Sequence, residues 1–288
     1  VPKEIKTHEY RVGMTPASVR EVVHHGHSVL IESQAGDGIG VSDEDYRKVG
    51  GEIVGTAAEV FDRSEMIVKV KEPQTNECKM LRPGQTLYTY LHLAPDPKQT
   101  ELLVASGATC IAYETVTDDE GRLPLLKPMS EIAGRMSIQS GAHHLEKTQG
   151  GSGVLLSGAT GVDSAQVLVL GGGVVGMNAA KVAVGMGADV TILNRSISER
   201  LVKFQKKHSS QLFIDLSTQA NIEQHLNSAD LVIGAVLVTG ASAPKLITRD
   251  MLKLMKKGSV LVDVSIDQGS CFETSTVTTH DKPTYVVD

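Results

Sequence analysis

Apolar residues recur along the chain in two spacings. Val19, Val22 and Val23 share one helical face, Thr15 reads as an N-cap, Pro16 as the first helical residue and Gly26 as the stop, so a helix is predicted between Pro16 and Gly26. Short apolar runs follow at Ser28–Glu32, Met66–Val70, Thr86–Leu91 and Thr109–Tyr113, and they alternate with helix-like segments. That alternation is the mark of a parallel sheet covered by helices. Pro124 and Pro128 lie in a loop that gives way to a helical stretch from about Ser130 to Lys147, and the Gly-rich run Gly150–Gly161 comes next. A second series of strands is predicted at Gln166–Leu170, Asp189–Leu193, Leu231–Ala235 and Ser259–Val264.

The expected fold is therefore α/β, with two doubly wound Rossmann-like domains of parallel strands, residues 1–129 and 130–288. The halves also echo each other. Arg63-Ser-Glu-Met-Ile-Val-Lys69 has the pattern of Ser228-Ala-Asp-Leu-Val-Ile-Gly234, and Arg82-Pro-Gly-Gln-Thr-Leu87 that of Lys256-Lys-Gly-Ser-Val-Leu261. Each is a turn feeding a buried strand.

Composition narrows the function classes. A formal net charge of -6 leaves no surplus of cations for a phosphate-binding face, so nucleic acid is not expected as a partner. No apolar stretch reaches the roughly 18 residues of a membrane span, and the chain reads as soluble, with no membrane partner. Cys78, Cys110 and Cys271 fit neither a disulfide framework nor zinc-ligand spacing, which suggests reduced thiols in a cytoplasmic protein. The pairs His24-His25 and His143-His144 have no neighbouring ligands at metal spacing, and no metal site is expected.

The most specific motif is Gly171-Gly-Gly-Val-Val-Gly176, which follows the strand Val167–Leu170 and opens a helix. In a G-x-G-x-x-G loop of this context, Gly171 permits the tight turn, Gly173 lets backbone approach a pyrophosphate, and Gly176 lets helix and sheet lie close. Val174 and Val175 then begin the helix whose N–H groups face the phosphate. At the tip of the next strand, where a carboxylate commonly binds the ribose, the chain has Asn194 and then Arg195. An amide does not repel a 2′-phosphate and a guanidinium pairs with one, so the residues leave both NAD and NADP open.

The first half holds Glu9-Tyr-Arg11-Val12, Val68-Lys-Val-Lys71-Glu-Pro73 and Tyr90-Leu-His92-Leu-Ala-Pro95, and the second ends on Val264-Ser-Ile-Asp267-Gln-Gly269. These are polar groups at strand ends, where open parallel sheets bind ligands. Five segments, Val1-Pro-Lys-Glu-Ile-Lys6, Val70-Lys-Glu-Pro73, Tyr90-Leu-His-Leu-Ala94, Pro128-Met-Ser-Glu-Ile-Ala-Gly134 and Ile266-Asp-Gln-Gly269, closely resemble the alanine dehydrogenase family. The resemblance runs the length of the chain. It implies reversible, NAD-dependent oxidative deamination of L-alanine to pyruvate and ammonia. It also implies that Arg11 and Lys71 hold the substrate carboxylate and carbonyl oxygen, that His92 and Asp267 handle protons and water, and that Ser130 and the Gly171 loop contact the cofactor. Residues 1–129 become the substrate domain and 130–288 the dinucleotide domain. A homo-oligomer, commonly a hexamer, is implied as well.

Relatives of this kind continue past the position of Asp288 through a further cofactor-contacting loop and a terminal helical stretch, so a shortened and incomplete chain is expected. Two other functions fit parts of the pattern. One is the dinucleotide-binding subunit of proton-translocating transhydrogenase, which resembles the family in both domains but needs no amino-acid-binding residues. The other is a truncated NAD-binding protein without turnover. Arg11, Lys71, His92 and Asp267 together favour the enzyme.

Overall fold

Helix α1 (Pro16–His24) forms where Pro16 presets the first turn and Val19 is driven fully inward. Thr15 occupies the N-cap position, but its hydroxyl meets Ser18 Oγ rather than capping a backbone N–H. Gly26 ends the run at φ +84°, a left-handed geometry that glycine adopts without strain. The computed structural model describes residues 1–208, 210–236 and 243–287. They divide into two compact units, Val1–Leu126 and Lys127–Asp288.

In the first unit β1 (Leu30–Glu32), α2 (Asp43–Arg47), β2 (Glu52–Val54), α3 (Ala57–Arg63), β3 (Met66–Val68), α4 (Thr75–Cys78), β4 (Thr86–Thr89), α5 (Pro97–Ser106) and β5 (Thr109–Ala112) follow α1. All strand pairs are parallel, β1 with β2 and β3–β4–β5 in sequential order. Residues 1–4 run between these groups. Val1 exchanges backbone hydrogen bonds with Leu30 and Glu32 beside β1, and the Glu4 carboxylate accepts the Val70 N–H at 2.7 Å just past β3. One core gathers Val19, Ile31 and Tyr46, the other Phe61, Ile67 and Leu87. Capping boxes at Ser42 and Thr56 start α2 and α3 by satisfying orphan N–H groups.

The second unit opens with α6 (Lys127–His144), three residues earlier than the sequence suggests. Pro128 sits in its first turn, where no N–H is needed, so the proline does not hold the helix back. Then come β6 (Gln166–Leu170), α7 (Val174–Gly185), β7 (Asp189–Asn194), α8 (Glu199–Lys207), β8 (Leu212–Leu216), α9 (Gln219–Leu226), β9 (Leu231–Gly234) and β10 (Val260–Asp263). The five strands are parallel in the order β8-β7-β6-β9-β10, the 3-2-1-4-5 arrangement of a dinucleotide-binding sheet. Both faces are covered. Val167 and Val169 face Ala179, Ala180 and Ala183, while Leu168 and Leu170 face Ile222 and Leu226.

The repeated sequence pattern is a repeated structure. Met66 pairs with Thr86 in the first unit as Leu231 pairs with Val260 in the second, and Gly84 and Gly258 take the same left-handed turn at φ +81° and +78°. Among the described residues no helix is long and apolar enough to cross a membrane, and no three His, Cys, Asp or Glu side chains gather as a metal would require. All three cysteines are free, and the two His pairs stack edge to face within their own helix ends.

Candidate active site

In the first unit, Gly13 lets the segment after Glu9 pass close over the end of β3. A Cβ there would lie 2.6 Å from the Val68 carbonyl oxygen. Arg11 lies two residues before this crossing, and Lys71 three residues past the end of β3. Arg11 is half exposed and forks onto Glu9, with Nε to Oε1 at 2.8 Å and Nη2 to Oε2 at 2.5 Å. Burial pushes the Glu9 carboxyl up, but its bonds to Arg11 and the nearby Lys71 charge outweigh this and hold it below its ordinary value. The fork leaves Nη1 of Arg11 for a further anion. Lys71 keeps its amine partly exposed, 3.7 Å from Glu72 Oε2, while Glu72 also pairs with Lys6.

His92 lies just beyond β4 at φ +47°, a left-handed conformation that costs a histidine backbone energy. Glu114 explains why it persists. Its carboxylate accepts the His92 N–H at 2.7 Å and the Leu91 N–H at 3.0 Å, so one anion clamps the turn. Tyr90, on the same turn, gives its hydroxyl to the Leu125 carbonyl at 2.7 Å and meets Tyr113 edge to face. Burial raises its pKa, Glu114 adds to the rise and Arg11 opposes it. Arg11 and Glu114 thus both act on one phenol, and Lys71 and Arg11 on one carboxylate. Sequence reasoning missed Glu114, because an acid after β5 carries no local sign of a partner 22 residues back.

Lys69 was another omission. Its amine is fully buried between Glu77 at 2.7 Å and Glu4 at 3.2 Å, tying α4 and residues 1–4 to the end of β3. The alternation Lys69, Lys71 in the sequence does not reveal which lysine is internal.

In the second unit the glycine loop lies at the switch point between β6 and β9. A Cβ on Gly171 would sit 2.5 Å from the Ala235 oxygen, and one on Gly176 would sit 1.8 Å from the Gly171 oxygen. Gly173 has nothing within 4 Å of that position, leaving open space before the first N–H groups of α7. Those features fit a dinucleotide pyrophosphate. Gly134 of α6 packs on the Val175 carbonyl, with a Cβ position only 2.2 Å away, and Ser130 lies one turn earlier on that face of α6. Asn194 Oδ1 accepts the Gly172 N–H at 2.9 Å, and its amide donates to the Ser196 carbonyl at 2.8 Å. Arg195 next to it is exposed. Gly176→Ala is expected to weaken nucleotide binding by more than about tenfold, since the added methyl must displace the loop; titration of NADH fluorescence checks it.

Asp267 is exposed on a single 3-10 turn, Ile266–Gln268, after β10. Asp263 organises that loop by accepting the Ser265 N–H at 3.0 Å, the Cys271 N–H at 3.2 Å and the Ser270 hydroxyl at 2.5 Å. Lys245 closes it with a 2.6 Å bond to the Gly269 carbonyl.

Comparison with known proteins gives this arrangement a family. The model for the alanine dehydrogenase/PNT N-terminal domain matches residues 1–133, and that for the C-terminal domain matches 137–288. The alanine dehydrogenase of Halomonas elongata is 57% identical over 288 residues, covering 100% of this chain and 77% of its own length. A solved L-alanine dehydrogenase superposes with a TM-score of 0.93 at 50% identity, over 100% of this chain and 79% of that one. The transhydrogenase from Sinorhizobium meliloti is more distant, with a TM-score of 0.80 at 26% identity over 96% of this chain and 80% of that one. The chain belongs to the alanine dehydrogenase/PNT family.

Proposed function

We propose that the protein is an NAD-dependent alanine dehydrogenase, converting L-alanine, NAD and water to pyruvate, ammonium and NADH with release of one proton, and running in reverse. It is an oxidoreductase of a family that uses a nicotinamide dinucleotide. What supports the amino acid as substrate, against hydride exchange between two nucleotides, is the Arg11 fork, held by Glu9 with Nη1 left over, in the same unit as the clamped His92 turn. A nucleotide exchanger has no use for a carboxylate grip next to a proton carrier.

The roles follow from the side chains. Arg11 takes the substrate carboxylate through its free Nη1 and part of the fork that Glu9 now holds. A nicotinamide dinucleotide held at the glycine loop would supply the acceptor for the hydride that leaves the substrate Cα. The iminium left on the substrate then adds water, and ammonia departs. His92 carries protons in these steps, Lys71 stabilises charge on the developing carbonyl oxygen, and Asp267 positions the water. Gly171, Gly173, Val174, Val175 and Gly176 hold the pyrophosphate, with Ser130 and Asn194 beside the nucleotide. We further assign the chain to the cytoplasm as a homo-oligomer, hexameric by family resemblance, with residues 1–129 as the substrate part and 130–288 as the dinucleotide part.

NADH formation measured against a panel of L-amino acids tests the assignment: L-alanine should give the highest kcat/KM, and absence of any amino-acid dependence would refute it. Glu114 acts as a positioning residue. Glu114→Ala is expected to lower kcat by about tenfold or more through release of the His92 turn, and Glu114→Gln, which keeps an acceptor oxygen, to restore part of it. Steady-state kinetics with the KM for NAD as internal control checks this.

A further inference from the structure

Between the tip of β7 and the first turn of α8 lies a short exposed turn, residues 195–198, with an unusual charge pattern. It is fixed against the glycine loop at both ends. Asn194 joins β7 to Gly172 through the 2.9 Å bond to its N–H, and Leu201 of α8 fills the space in front of Gly172, where a Cβ would meet it at 2.8 Å. The turn therefore borders the part of a dinucleotide site that receives the adenosine ribose.

No carboxylate stands at the tip of β7. Asn194 makes the loop contact with a neutral oxygen, so the contact to Gly172 is retained without a negative charge. Arg195 is exposed and has no ion-pair partner among the described residues. Two acids on the adjoining elements are engaged elsewhere: Glu199, at the start of α8, pairs with Lys203 at 2.6 Å, and Asp215, opposite Leu193 in the β7–β8 pair, accepts the Leu216 N–H at 2.7 Å. The N-terminal end of α8, with Ser198 as its cap, adds partial positive charge on the same side.

We propose that this edge binds a ribose 2′-phosphate, so that the protein takes NADP(H) as well as NAD(H), with Arg195 as the phosphate ligand and Asn194 as the residue that admits it. The proposal rests on the nicotinamide-dinucleotide reading of the glycine loop and is independent of which substrate is oxidised. A phosphate dianion gains charge-assisted hydrogen bonds from the guanidinium and meets no anion at the strand tip. An aspartate at 194 would accept from the ribose hydroxyls of NAD and repel the phosphate of NADP.

Fluorescence titrations of the full chain with NADH and NADPH test this without any substrate. NADPH should bind within about tenfold of NADH, and Arg195→Ala should raise the ratio of the NADPH to the NADH dissociation constant about tenfold, with Asn194→Asp raising it further. If NADPH binds more than about a hundredfold weaker than NADH, or if Arg195→Ala leaves the ratio unchanged, the phosphate site is refuted. Failure of both nucleotides to bind would overturn it together with the dinucleotide reading. Binding of both with no turnover of L-alanine would count against the proposed reaction alone, with the phosphate site judged on the ratio.

Discussion

Replacing His92 by alanine should lower L-alanine-dependent NADH formation by about two to four powers of ten while NADH still binds, the signature of losing a positioned acid-base group. The nucleotide loop belongs to the second unit and His92 to the first, so the two readouts are separable. Because His92 sits at φ +47°, alanine there inherits a backbone strain similar to that of the parent, and His92→Gly serves as the control that relieves it. A variant that melts with the parent and binds NADH but does not turn over assigns His92 to the chemistry. Retained turnover, or loss explained by a lowered melting temperature, would leave Asp267 as the leading proton carrier.

Lys69→Met should be the most damaging change to stability in the first unit. The methionine matches the lysine stem in length, yet it strands Glu4 and Glu77 in the core without their shared cation. Breaking a buried pair in this way costs about 3–5 kcal/mol. In a unit of this size that corresponds to roughly 10–20 °C in Tm. The pH dependence has a definite sign. Burial already raises the Glu4 pKa above 4.5 against the pull of Lys69, and removing Lys69 raises it further. A carboxyl whose folded pKa is raised contributes stability below its unfolded value and loses it as pH climbs through the folded one. The deficit of Lys69→Met is therefore largest at neutral pH and shrinks on acidification toward the ordinary carboxylate range. Adding Glu77→Gln should recover part of it. A deficit that is independent of pH, or a double variant no better than the single, would mean that the loss comes from packing.

Much of the second unit can be read from the chain because its determinants are local. The glycine loop requires close approaches within a few residues, and the close packing of Gly176 on Gly171 is implied by the motif itself. The echo between Arg63–Leu87 and Ser228–Leu261 likewise predicts paired strands, since each half repeats a turn and a buried run in register. What escaped were strands whose burial pattern is irregular, such as β2 and β8, where Glu52, Phe213 and Asp215 face outward at a sheet margin. Boundaries shifted where a proline was read as a break although it sits in a first helical turn, as at Pro128. Among the candidate residues, Arg11, Lys71, His92 and Asp267 were named through a resemblance. The residues that hold them, Glu9, Glu114 and Asp263, act through contacts made by folding. Glu114 and Asp263 do the same job in different units, each accepting two backbone N–H groups from the loop after a strand. A carboxylate near a strand end looks like any surface acid until the loop it clamps is known.

The reverse reaction offers the most direct test of the central claim. With NADH in hand, the protein should oxidise it only when pyruvate and ammonium are both present, forming L-alanine in equal amount. Oxidation of NADH by pyruvate without ammonium, or hydride transfer to a second nucleotide with neither present, would contradict it.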